Sequence, residues 1–171
     1  PMDDAQRNRR MVDLIDRYQR PIYWHLRRML VRHEDAEDVL QETFVQAYQH
    51  LEQLRDERAE RAWIYRIATN EALRWLGRQR EALLSTEEVD ASLLERLAEG
   101  SYIDYDDSMA RLFQAAILTL PPTQRTVFNL RYYDELSYEE IAEITQSKIE
   151  TLKVNYHYAK QRIKQYIEQH D

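Results

Sequence analysis

The sequence predicts an all-α protein made of two small helical domains joined by an acidic linker, with a helix-turn-helix in the C-terminal domain. Three observations carry that prediction. Turn chemistry is scarce, because 171 residues hold two glycines and four prolines against abundant Ala, Leu, Glu, Gln and Arg, which leaves little for a sheet. Apolar residues recur every three or four positions through most of the chain, the period of an amphipathic helix. Between Glu81 and Asp107 that period fails and nine acids gather against Arg96 alone. The interruption divides the chain into a domain over 6–80, a linker over 81–107 and a second domain over 108–171.

Composition narrows the function classes. Apolar residues make up 43% of the chain, enough for a real core in either half. No run approaches the roughly 18 to 20 apolar residues of a membrane span, and no signal-peptide pattern opens the sequence. The expected protein is soluble and cytoplasmic, without membrane contact of its own. The absence of cysteine excludes disulfides and thiolate sites. A net charge of −7 argues at first against nucleic acid, but the segment 81–107 alone carries −8, so the remainder is +1. Arg55 to Arg80 holds seven arginines against four acids, and Lys148 to Lys164 holds five cations against Glu150. No phosphate-cradling glycine loop is present, and the five histidines have no nearby Ser, Cys or metal-binding partner set. No catalytic residue, metal or cofactor is expected.

Taken in order, Pro1 to Ala5 reads as a frayed end, followed by a helical pattern through Met11, Leu14, Ile15, Tyr18, Ile22, Leu26 and Met29. Pro21 removes a backbone donor and clashes one turn back, which predicts a kink or break near Gln19. From His33 to Leu54 a cluster of acids suits a helix N-terminus, and Ala36, Leu40, Phe44, Ala47, Leu51 and Leu54 form the apolar stripe. Asp35, Asp38 and Glu42 fall on one side; no histidine joins them at ligand spacing, and first-turn charge plus a solvated face accounts for them. Arg55 to Ala62 reads as a polar loop. The helix after it, ending around Gly77 to Arg80, has two faces. Ile64, Tyr65, Ala68, Ala72, Trp75 and Leu76 lie on one, and Trp63, Arg66, Asn70, Arg74 and Arg78 on the other. Arginines interleaved with an aromatic and an amide can pair with phosphates and stack on an unpaired base, while Trp63 fits the core equally well.

Leu93, Leu94 and Leu97 suggest one helical turn inside the linker, and Gly100 with Ser101 breaks the chain after it. The second domain opens at Ser108 with Leu112, Ala115, Ala116 and Leu118 on one helix. Pro121 and Pro122 end that helix and start another, whose apolar groups are Val127, Phe128, Leu130 and Tyr132. Ser137 with Glu140 forms a capping-box pair, so a short helix starts there with Ile141, Ala142 and Ile144 inward. A turn at Gln146, Ser147 and Lys148 leads into a longer helix carrying Ile149, Leu152, Tyr156, Ala159, Ile163 and Tyr166. Its other side presents Lys148, Glu150, Thr151, Lys153, Asn155 and His157, hydrogen-bonding groups suited to base edges in a major groove. On this stretch alone an ordinary helical hairpin fits as well.

Three segments carry a resemblance that spans nearly the whole chain: DAEDVLQETF at Asp35 to Phe44, RAWIYRIATNEALRWL at Arg61 to Leu76, and LPPTQRTVFNLRYYDELSYEEIAEI at Leu120 to Ile144. In this order and spacing they resemble the hallmark segments of bacterial RNA polymerase sigma factors of the extracytoplasmic-function group. The resemblance implies a transcription initiation factor whose first domain binds core RNA polymerase and melts the minus-10 element of promoter DNA, and whose second reads the minus-35 element. It implies that Asp38, Gln41 and Glu42 dock on the coiled coil of the largest polymerase subunit. The loop with Arg55, Arg58 and Arg61 would capture a base, and Trp63, Arg66, Asn70, Arg74 and Arg78 would serve the minus-10 element. Lys148 to Lys160, with Lys148, Glu150, Thr151, Lys153, Asn155, His157 and Lys160, matches the recognition helix. The linker resembles the family's interdomain segment, which threads a polymerase channel used by nascent RNA, and an anti-sigma factor is a further partner the resemblance admits. One departure stands out: family members often have a Gly-Ile-Ser turn and an Arg in the helix that follows, whereas this chain has Gln146, Ser147, Lys148 and then Asn155. A plain two-domain DNA-binding regulator would also use the helix-turn-helix but has no need of Asp38, Gln41 and Glu42. An enzyme is the weakest reading.

Overall fold

Helix α1 (Asp4–Leu30) starts at a reciprocal cap: the Gln6 amide donates to the Asp3 carboxylate at 2.8 Å, and the Asp3 amide donates to the Gln6 side chain at 3.0 Å. That cap satisfies the end expected to fray. The structure is a computed structural model and describes residues 2–82 and 108–171. The expected turn at Leu93, Leu94 and Leu97 and the break at Gly100 and Ser101 lie outside the described residues.

The break expected at Pro21 does not occur, since α1 runs through it. Leu14, Ile22 and Leu26, on either side of the proline, are fully buried, and their packing holds one continuous rod. Pro21 and Arg17, one turn back, are both exposed, so the carbonyl left without its helical donor lies on the solvent side. The helix stops at Val31, a buried residue with φ of 74° whose N–H donates to the Arg27 carbonyl at 2.8 Å. A β-branched residue there is strained, and close packing must hold it.

Helix α2 (His33–Gln49) is shorter than the sequence pattern suggested, giving way to a 3-10 turn at Leu51–Gln53. Its expected stripe does face inward, with Phe44 half-buried and the other members buried. The segment read as a loop from Arg55 is partly helical: a 3-10 turn spans Glu57–Ala59, and helix α3 (Glu60–Ala82) already includes Glu60 to Ala62. Glu60 is buried and accepts from Arg17 at 2.5 Å, which pins the start of α3 to α1. Deeper in, His25 of α1 meets Thr69 of α3 at 2.9 Å.

In the second half, α4 (Ser108–Leu118) and α5 (Pro122–Tyr132) are separated at the expected prolines, with Pro122 in the first turn. Tyr132, expected inward, is half exposed. Helix α6 (Tyr138–Thr145) carries the expected capping box of Ser137 and Glu140. Gln146 then takes the left-handed conformation, φ 57° and ψ 37°, and turns the chain into α7 (Ile149–His170). Alpha-helix and 3-10 turns are the whole of the regular structure among the described residues. A small core of Ala116, Ile117, Leu120, Phe128, Ala159 and Ile163 lies among α4, α5 and α7. The larger core begins in α1–α3 and continues without interruption through Val127, Leu130, Leu136, Ile141, Ile144 and Leu152. The two halves are therefore docked, with α6 packed on α3 and α5 on α1.

Candidate functional site

Side chains of α1 and α2 form a groove of about 990 Å³ whose floor and walls are apolar: Met11, Val12, Ile15, Leu40, Phe44, Val45 and Tyr48. Asp38 and Gln41 sit on its rim, and Glu42, one residue on, is exposed and accepts from Gln46 at 3.4 Å. The sequence reading found the polar rim and missed Val12, Val45 and Tyr48. These are exposed apolar side chains placed beside the buried stripe, and Val12 next to Met11 and Val45 next to Phe44 were the available signals.

On α3, Arg66, Arg74 and Arg78 are exposed, while Trp63 and Asn70 are half-buried, with Trp63 leaning on the core. The core reading of Trp63 thus holds in part. Arg74 donates to Glu71 at 2.5 Å, which offsets its charge. Arg58 stands almost fully in solvent, 3.6 Å from Asp56. Arg55 borders a basin of about 370 Å³ shared with Arg9, Arg10 and Arg17 and with Asp13, Glu57 and Glu60, so its surroundings mix both signs. Arg61 is turned elsewhere, onto Glu140, with Nε and Nη2 donating at 2.7 and 2.6 Å.

On α7, Leu152, Ala159 and Ile163 are buried and define the inner face. Glu150, Thr151, Lys153, His157 and Lys160 are exposed, and Lys148 is the exposed N-cap rather than a member of the helix. Asn155 is half-buried. Two positions apart on a helix is about 200°, so Lys153 and Asn155 do not share one face. The ammonium groups of Lys153 and Lys160 lie over the rings of Tyr138 and Tyr156, 5.7 and 4.9 Å from their centres.

Sigma-70 region 2 matches residues 14–82 and Sigma-70, region 4 matches residues 110–163. The chain is 32% identical over 162 residues to the ECF RNA polymerase sigma factor SigW of Bacillus subtilis, covering 89% of this chain and 86% of that one. The chain belongs to the ECF RNA polymerase sigma factors. The ECF RNA polymerase sigma-E factor of Haemophilus influenzae is likewise 32% identical over 164 residues, 91% of this chain and 86% of that one. Two solved structures share the fold. One is the sigma factor RpoE in complex with the anti-sigma factor NepR from Bartonella quintana, with TM-score 0.66, 18% identity and 94% and 96% of the two chains covered. The other is CnrH in complex with the cytosolic domain of CnrY, with TM-score 0.67, 21% identity and 96% and 91% covered. Among the described residues no helix is long and apolar enough to cross a membrane, and no group of His, Asp or Glu could hold a metal ion.

In this sigma factor the two matched regions meet at a polar seam that sequence reasoning missed. Asp134, between α5 and α6, has a side chain only 5% exposed and accepts both from Arg28 Nη2, at 3.2 Å to each oxygen, and from the Tyr65 hydroxyl at 2.8 Å. The Arg28 guanidinium also covers the Tyr133 ring at 4.6 Å. Burial, then the neighbouring carboxylate, raises the Tyr65 hydroxyl well above its ordinary value, so it stays a donor. His25 lies 3.7 Å from Asp134, but burial outweighs that attraction and lowers the imidazole to about 4. At neutral pH the contact is therefore that of a neutral ring and not an ion pair. Glu140, which caps α6, is held below the usual carboxylate range chiefly by its hydrogen bond from Arg61.

Proposed function

We propose that this sigma factor binds core RNA polymerase through the α1–α2 groove, opens the minus-10 element with α3 and the turn before it, and reads the minus-35 element with α7. The groove carries the reading: an apolar lining with Val12, Val45 and Tyr48 exposed, rimmed by Asp38 and Gln41 and lying mostly within the region 2 stretch, suits a partner helix that brings its own apolar side chains and basic groups. Domains over 6–80 and 108–171 fit this division, and the matched regions at 14–82 and 110–163 support it. The protein works in the cytoplasm without chemistry of its own, and an anti-sigma factor is the regulator its relatives' company suggests.

The test is binding to core polymerase. Changing Asp38 and Glu42 together to Lys places like charges against a basic contact and should weaken binding by about a few kcal/mol, leaving thermal unfolding unchanged because both residues are exposed. Unchanged affinity would remove this surface from the assignment. A DNA-binding regulator that never engages polymerase would show no binding even in the unaltered chain.

A further inference from the structure

We infer that Val154 and Tyr158 read thymine in the upstream element through its 5-methyl group, an inference that rests on α7 being the reading helix. Both side chains are 51% exposed. At about 100° per residue they stand more than roughly 100° from the inward face set by Leu152, Ala159 and Ile163, so they take no part in the core. Single exposed apolar residues are ordinary, but these two form an i, i+4 pair within the first three turns after the helix-turn-helix turn. Lys153 and Lys160, resting on the rings of Tyr138 and Tyr156, stand about 100° or more around the helix from the pair, on a flank that suits phosphates.

The chemistry of Val154 selects the base, and the Tyr158 ring offers a second apolar surface beside it. Valine has no donor or acceptor, so it cannot satisfy the groups that guanine, cytosine or adenine present in the major groove. Thymine alone offers a methyl group there. Four residues of helix rise about 6 Å, close to two base-pair steps at about 3.4 Å each, so the pair can touch two methyls about two base pairs apart. The stretch from Ile149 to Lys160 carries no arginine, and an apolar reader supplies discrimination there.

The experiment uses holoenzyme assembled with core polymerase and a promoter recovered from a genomic pool. Each thymine of the upstream element is replaced in turn by deoxyuridine, which removes only the methyl. Binding by the unaltered protein should fall about fourfold at each of two positions some two base pairs apart, the worth of one methyl at about 0.8 kcal/mol. Val154→Ala should bring the thymine-to-deoxyuridine ratio to about one at one position and Tyr158→Ala at the other, while Val154→Thr, which keeps a methyl, should retain the preference. A ratio near one in the unaltered protein, ratios unmoved by either alanine, or an upstream element without thymine overturns the inference and leaves the polymerase and promoter assignment standing. Holoenzyme that recovers no promoter overturns both.

Discussion

Replacing Asp134 with Ala should separate the two halves of the molecule without unfolding either. The carboxylate accepts three hydrogen bonds in a site where its side chain is 5% exposed, and Arg28, its main partner, is only 13% exposed. Removing one partner of a buried ion pair costs about 3–5 kcal/mol, because the other charge is left unpaired. Two features reduce that figure here: Arg28 keeps the Tyr133 ring, and opening the seam rehydrates both Arg28 and the Tyr65 hydroxyl. An effective loss of about 2–4 kcal/mol from docking follows, roughly 30- to 1000-fold in the equilibrium between docked and separated halves. Asp134→Asn keeps an acceptor for Tyr65 and should lose about half as much. The chain has no cysteine, so one introduced at exposed Gln53 and one at exposed Gln165 can carry a pair of distance labels. The labels should report a longer, broader separation in Asp134→Ala than in the unaltered protein. An unchanged distance distribution with unchanged thermal unfolding would refute the view that this carboxylate holds the seam.

Glu140→Gln should cost little, because Gln preserves the capping box with Ser137 and only the charge facing Arg61 is lost; Glu140→Ala should cost about 1 kcal/mol more by removing the cap as well, a difference that thermal unfolding resolves. Acid should loosen the protein. His25 in the fold protonates only near pH 4, whereas an unfolded histidine does so near about 6.5, so the unfolded chain binds more protons between those values and stability falls as pH drops through that window, by about 3 kcal/mol in all. The depressed Glu140 carboxylate acts in the same direction at lower pH, and His25→Gln should flatten the upper part of a denaturation curve measured against pH. Pro21→Ala should raise the melting temperature, since it restores a helical hydrogen bond in an unbroken helix at an exposed site, worth about 1–3 kcal/mol.

What could be read from the sequence was local. The Ser137–Glu140 cap, the Pro121–Pro122 boundary and the inward stripes of α2, α3 and α7 depend on residues within a few positions of one another, and each appears where the pattern placed it. Pro21 misled because its local cost is outweighed by the burial of Ile22 and Leu26 beside it, an effect of tertiary packing. The Asp134 node was invisible because its partner Arg28 lies 106 positions away and nothing in the spacing joins them. On α7 a search for hydrogen-bonding side chains passed over Val154 and Tyr158, and exposure was the observation needed to notice them.

Docking and promoter recognition make conflicting demands, and size decides between them. Elements named minus-10 and minus-35 lie about 25 base pairs apart, roughly 85 Å of duplex at about 3.4 Å per pair. A compact chain of 171 residues has a radius of gyration of about 16 Å and a diameter near 40 Å. If α3 and α7 take the two elements as proposed, a molecule with α6 packed on α3 cannot place them on both at once, and the seam has to open in the initiating complex. The two ionic contacts differ in how far they resist this. Arg61 is 49% exposed, and even its bidentate pair with Glu140 is worth about 1 kcal/mol, which DNA phosphates can replace. Asp134 with Arg28 is buried and, together with Leu136, Ile141 and Ile144, supplies most of the cost of opening. Polymerase binding has to offset that cost. Asp134→Ala removes part of it in advance, so the variant should bind core polymerase at least as tightly as the unaltered chain and initiate at least as well in a reconstituted transcription assay. Reduced initiation at unchanged polymerase affinity would mean that the docked arrangement is itself the working one.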